Sequence, residues 1–195
     1  NFSTSTTAND VNGHGTSTAG LAAASTNNAI GVAGLGYQAR VLNAKGMNDD
    51  GTGDYSAIAQ AIIWATDRGA NVINLSLGGY ASSSTLEGAV NYAYDHGVVL
   101  VAAAGNQSLT DPFYPAALNN VIGVTATDRY DALAIFSNHG PWVDVAAPGV
   151  GTLTTVLGGS YANTSGTSMA SPIVAGLAAL VLPRMTDANG NGRVN

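Results

Sequence analysis

The chain has 195 residues, of which 46% are hydrophobic and 9% charged, with a formal net charge of -6 and no cysteine. That length is enough for one domain with a sizeable core. The composition excludes a disordered segment or coiled coil, the acidic balance argues against nucleic acid, and disulfides and thiol chemistry are ruled out. No membrane is expected, because Gly, Asn, Asp or Pro interrupts every apolar run. Asn1 is not a start residue and no signal peptide is visible, so a mature, processed or cut chain is expected.

In chain order, a polar arm (1–12) comes first, followed by an Ala- and Gly-rich helical pattern at about 15–24. A β-rich run at 41–44 predicts a strand. The segment 56–68 predicts a helix with apolar Ile58, Ile62, Ile63 and Ala65, stopped by Gly69. A strand is expected at 71–75, then a helix at 85–95 with Leu86, Val90 and Ala93 on one face. Strands follow at 98–103 and 121–125, and an apolar helix at 168–182, with Pro172 expected in its first turn. A polar tail (186–195) ends the chain. Strands alternating with helices, several of them apolar on both faces, predict an α/β protein with a mostly parallel sheet covered on two sides. Ligands on such sheets sit at the carboxyl ends of the strands.

Three polar side chains stand at element ends among small residues. His14 lies in Asn12-Gly13-His14-Gly15-Thr16 before a helix, and Asn106 ends the run from Val98 through Gly105. Ser168 lies in Gly166-Thr167-Ser168-Met169-Ala170-Ser171-Pro172 at a helix start. Singly, each has an ordinary explanation as a loop residue, a turn cap or an N-cap. Together they suit nucleophilic catalysis. A serine hydroxyl needs a neighbouring base, a helix start offers free N–H groups to a developing oxyanion, and a side-chain amide adds a second donor.

These blocks, together with Ser76-Leu77-Gly78-Gly79 and Asp144-Val145-Ala146-Ala147-Pro148-Gly149, resemble the signature motifs of the subtilisin-like serine peptidases, over about residues 10–182. The resemblance implies a three-layer α/β/α fold, with His14 as general base, Ser168 as nucleophile and Asn106 as oxyanion-hole donor. Two features depart from the family. After His-Gly-Thr many members continue His-Val, where this chain has Ser17-Thr18, read as a tolerated change. The family's triad Asp precedes the His block on an early strand, whereas this sequence begins at Asn1-Phe2, already past that point. The first N-terminal elements are therefore expected to be missing, with the acid outside this chain. Asp10, four residues before His14, is not expected to replace it.

The same resemblance places Gly51, Thr52 and Gly53 opposite Ser76, Leu77 and Gly78 along an extended polypeptide substrate. It makes Ala103, Ala104 and Gly105 a wall of the pocket before the cut, with no charge to favour a basic residue. Tyr55 matches a lid over a more distant pocket, and helix-start packing explains it equally well. The segment Thr26-Asn27-Asn28-Ala29-Ile30-Gly31-Val32 resembles the family's calcium loop, implying Thr26, Asn28, Ile30 and Val32 as ligands. The tail Asp187-Ala188-Asn189-Gly190-Asn191-Gly192 begins like an EF-hand loop but lacks its closing Glu, and a surface turn explains it as well.

The expected protein is a secreted, calcium-stabilised serine endopeptidase domain acting on polypeptides, with an N-terminal companion fragment as one source of the Asp. The alternative is a catalytically inactive fragment of the same fold that serves in binding or assembly. An esterase or transferase is disfavoured, because no Gly-x-Ser-x-Gly elbow surrounds Ser168.

Overall fold

Parallel strands with apolar side chains on both faces need cover on each side, and helices supply it here. The computed structural model describes residues 1–186. Its main sheet is parallel, in the order β1 (Val72–Leu75), β2 (Val99–Ala103), β3 (Val121–Thr127), β4 (Val145–Pro148). The helices are α1 (His14–Ala23), α2 (Tyr55–Asp67), α3 (Ser84–Asp95) and α4 (Thr167–Val181). An antiparallel pair, β5 (Thr152–Val156) and β6 (Ser160–Thr164), stands apart from the sheet.

Alternation along β2 divides the core. Leu100 and Ala102 pack with Ile73, Leu75 and the inward faces of α2 and α3, while Val101 packs with Val124, Ala126 and Ala147 under Ala170 and Ala175 of α4. This is the expected three-layer α/β/α arrangement. In α3, Leu86, Val90 and Ala93 are all fully buried. In α2, Ile58, Ile62 and Ala65 turn inward, but Ile63 faces solvent.

Several expectations need correction. Residues 41–44 form no strand: Val41 and Leu42 are exposed, and the segment contacts the N-terminal arm through Asn43 Nδ2, which donates to Ala8 O. A strand exists only through a ladder, and no described strand pairs with this run. Pro172 lies six residues into α4, beyond its first turn. By length and a mean hydropathy of 1.3, Thr167–Arg184 is long and apolar enough to cross a membrane, contrary to the reading of the runs. In the structure this helix covers the sheet, touching all four of its strands. β4, β5 and β6 were not anticipated. The candidate loop at 187–195 lies outside the described residues.

Candidate active site

The parallel strands bring two loops to one edge, the one after β1 and the one after β2, and α4 begins beside them. There Ser76 is hydrogen-bonded to Ser168, and Asn106 to Thr167, the residue before Ser168. Asn106 Oδ1 accepts the Thr167 backbone N–H at 2.8 Å and the Thr167 hydroxyl at 3.0 Å. Buried Thr167 Oγ1 also accepts the Gly105 N–H at 3.0 Å. With its oxygen engaged, Asn106 has its Nδ2 free to donate. The Ser168 N–H, in the first turn of α4, likewise has no acceptor among the described residues. A Cβ on Gly166, whose φ is +147°, would stand 3.6 Å from both Asn106 Nδ2 and Ser168 N. Two unpaired donors thus flank a space that glycine leaves open.

Pro172 shapes the helix start. It has no N–H to give to the carbonyl four residues back, that of Ser168. Ser76 Oγ fills the gap, donating to Ser168 O at 2.8 Å. Ser76 Oγ in turn accepts from Asn74 Nδ2 at 3.0 Å, and Asn74 Oδ1 accepts from buried Ser171 Oγ at 2.7 Å. The end of β1 is therefore stitched to the first turns of α4. Sequence reasoning missed Asn74, Thr167 and Ser171 as supports, although the last two lie inside a motif it singled out.

His14 opens α1. Asp10 sits beneath that start, its Oδ1 accepting the Gly13 N–H at 2.8 Å and its Oδ2 the Thr16 N–H and hydroxyl, each at 2.6 Å. Burial alone would raise the Asp10 pKa, but these hydrogen bonds together hold it below the usual carboxylate value. Both oxygens serve the helix start, so Asp10 is a cap and not a partner for the imidazole. The His14 ring reaches solvent, yet the protein around it pushes its pKa down, against a smaller upward pull from the Asp10 charge. Ser17 and Thr18, the departure from the family pattern, are buried, and their hydroxyls donate to Gly13 O and Gly15 O. That satisfaction explains why the helix tolerates them.

No hydrogen bond joins His14 to Ser168 among the described residues; Ser168 Oγ points instead to Ser76 O at 3.5 Å. The two side chains are related through their helices. A Cβ on Gly176, eight residues past Ser168, would lie 2.8 Å from the carbonyl of Ala22, eight residues past His14. At 1.5 Å per residue, each helix start is about 12 Å from that contact.

Of the expected substrate residues, Gly51, Thr52, Gly53 and Gly78 are exposed, Tyr55, Ser76 and Leu77 half-buried, and Ala103, Ala104 and Gly105 buried. Tyr55 packs beside the residue that follows Gly78, since a Cβ on Gly79 would lie 2.8 Å from its hydroxyl. In the loop at 25–33, Asn27, Ala29 and Gly31 adopt φ of 56°, 59° and 62° around a hollow of about 250 Å³. Asn28 Oδ1 there accepts the Ile30 N–H at 3.1 Å. The oxygens of Thr26, Asn28, Ile30 and Val32 are of the hard, neutral kind that calcium accepts.

A parallel sheet covered by helices on both faces, with a serine at the start of α4 and an amide donor beside it, places the chain among α/β/α proteins whose polar groups gather at the carboxyl ends of the strands. Within that class, the chain belongs to the subtilase family, whose model, described as Peptidase_S8, matches residues 1–191. It is 57% identical over 172 residues to a thermophilic serine proteinase of Bacillus sp. (strain AK1), which covers 88% of this chain and 43% of that protein. It is 50% identical to thermitase of Thermoactinomyces vulgaris, over 87% of this chain and 61% of that protein. A solved protease structure from Pseudoalteromonas arctica superposes with a TM-score of 0.85 at 40% identity, covering 90% of this chain and 60% of that one. The chain thus spans less than two thirds of each of these relatives.

Proposed function

We propose that this chain is the larger part of a serine endopeptidase domain that hydrolyses peptide bonds through an acyl-enzyme. Ser168 Oγ attacks the scissile carbonyl while its proton passes to His14, and Asn106 Nδ2 with the Ser168 N–H receives the oxyanion. His14 then gives the proton to the leaving amine, and water repeats the sequence to release the acid. The observation that carries this reading is the pair of free donors on either side of Gly166. A fluorophosphonate probe should label Ser168, and Ser168→Ala should abolish labelling. Labelling kept at another serine would sink the assignment.

The triad Asp lies outside this chain in this reading, since Asp10 is committed to the start of α1. A companion segment carrying an Asp-bearing strand is the proposed partner. In subtilisin itself, removing the acid lowers kcat by about 3 × 10⁴. The isolated chain should be correspondingly poor, and a peptide bearing an Asp-Thr-Gly strand should restore activity. Full activity of the chain alone would overturn this point. The second reading, an inactive subtilase-fold piece used in binding or assembly, is favoured by the lack of a His14–Ser168 hydrogen bond. Restoration by the peptide would exclude it.

Polypeptides are the proposed substrates, with an apolar or broad preference suggested by the uncharged wall at Ala103, Ala104 and Gly105. A structural calcium at Thr26, Asn28, Ile30 and Val32 and secretion of the protein complete the proposal. The neutral oxygens of the 25–33 loop support the first, and the acidic balance with abundant Ser, Thr, Asn and Gly supports the second.

A further inference from the structure

The loop carrying Asn106 contains no regular structure, yet its donor must hold one position. The side chain that anchors this loop comes from a distant segment. Asn138 is completely buried, at 0% exposure. Its Oδ1 accepts the N–H groups of Gln107 and Leu109, both at 3.0 Å. Its Nδ2 donates to Ala104 O at 2.9 Å and to the Tyr80 hydroxyl at 3.1 Å. All four hydrogen-bonding positions of the amide are filled. The Asn138 backbone N–H also donates to Gly105 O at 2.9 Å. Contacts from this residue therefore bracket Asn106 on both sides in sequence.

The packing leaves no room for the loop to drift. A Cβ on Gly105, whose φ is +99°, would stand 2.4 Å from Asn138 Nδ2. Tyr80 closes a second ring. Its hydroxyl donates to Gln107 Oε1 at 2.9 Å, and that same oxygen accepts the Asn106 N–H at 2.9 Å. Asn138 is itself fixed from behind, its carbonyl accepting the Thr125 hydroxyl at 2.8 Å, while the Ser137 and Thr125 hydroxyls are hydrogen-bonded to each other at 2.6 Å. The chain of contact runs from β3 through Asn138 to the loop after β2. On its other side, Thr167 holds the Asn106 amide.

We infer that Asn138 is a positioning residue that fixes the loop bearing the oxyanion donor Asn106, with Tyr80 as its outer support. This rests on the proposed role of Asn106. A loose loop would misplace the donor when charge develops while leaving ground-state binding nearly intact, so the effect falls on kcat.

The experiment is a double-mutant cycle in the catalytically complete protein, meaning this chain together with the segment that supplies the acid. Asn138→Ala should lower kcat about 10- to 100-fold and leave KM within about twofold. In an Asn106→Ala background the further loss should shrink to about threefold or less, because the donor being positioned is already gone. An equal loss in both backgrounds would show a merely structural role and overturn the inference. Tyr80→Phe keeps the ring but removes the outer support, and should lower kcat about 3- to 10-fold with the same dependence on Asn106. If Asn138→Ala does not fold, an unchanged kcat in Tyr80→Phe overturns the inference. A third outcome is distinct: if Asn106→Ala alone leaves kcat unchanged, the oxyanion reading itself is wrong and the inference falls with it.

Discussion

Asn106 Oδ1 accepts both the N–H and the hydroxyl of Thr167, at 2.8 and 3.0 Å, so the face of the amide turned outward is its donor. An N–H must meet the oxygen end, which settles the orientation of the amide. Asn106→Ala should lower kcat about 10²- to 10³-fold with little change in KM. Thr167→Val removes the hydroxyl shared by Asn106 and the Gly105 N–H. It should reduce kcat about 10-fold and lower stability by about 1–3 kcal/mol, the usual loss for a buried donor left unpaired. Steady-state kinetics and thermal melts check both. A rise in KM at constant kcat for Asn106→Ala would assign it to ground-state binding.

Ser76 and Pro172 form a second testable pair. Ser76→Ala strands the Ser168 carbonyl, because Pro172 has no N–H to reach it. A loss of about 1–3 kcal/mol is expected. Adding Pro172→Ala to that variant restores a helical donor and should recover part of the thermal midpoint. If the double variant is no more stable than Ser76→Ala alone, the Ser76 hydroxyl does not substitute for the missing helical bond.

His14 should titrate below its ordinary value of 6.5, since crowding by the surrounding protein outweighs the pull of Asp10. Its folded pKa is therefore below its unfolded one, and the unfolded chain takes up the proton first as pH falls. The His14 contribution to stability is full above about pH 6.5, declines as pH drops toward the folded pKa, and levels off below it. Asp10→Asn removes the upward pull and should lower the His14 value further. NMR titration of the His14 ring in both proteins measures the shift, and a value above 6.5 in the unmodified chain would show that the pull of Asp10 outweighs the surrounding protein.

Calcium should raise the thermal midpoint, because a ligand held only by the folded chain stabilises it by mass action. The gain is about 2.7 kcal/mol at a hundredfold excess over Kd. Asn28→Ala should remove much of the gain, and truncation after Thr186 should remove little. The reverse pattern would move the site from the 25–33 loop to the tail.

Much of the architecture can be read along the chain because it depends on local periodicity. The helical stripe Leu86, Val90, Ala93 and the apolar run of β2 state their own secondary structure, and burial of both faces of that run implies two covering layers. His14, Asn106 and Ser168 were visible for a similar reason: each stands where a regular element starts or stops, among residues too small to hide it. Residues 41–44 have strand-like composition but pair with nothing described, while Val145–Pro148 forms an edge strand despite its proline. Thr152–Val156 and Ser160–Thr164 pair through a polar hairpin whose Thr154 and Thr155 hydroxyls bond to α1.

The sequence by itself determined α1 to α4 and β1 to β3, and put His14, Asn106 and Ser168 at or near the ends of these elements. The tertiary structure alone decided which strands found partners and what supports those three side chains. Ser171 meets Asn74 across 97 positions of chain, and Asn138 meets Gln107 across 31. A buried asparagine or threonine looks the same in sequence whether it caps a turn or anchors a catalytic loop, because its partners are fixed by folding and not by spacing.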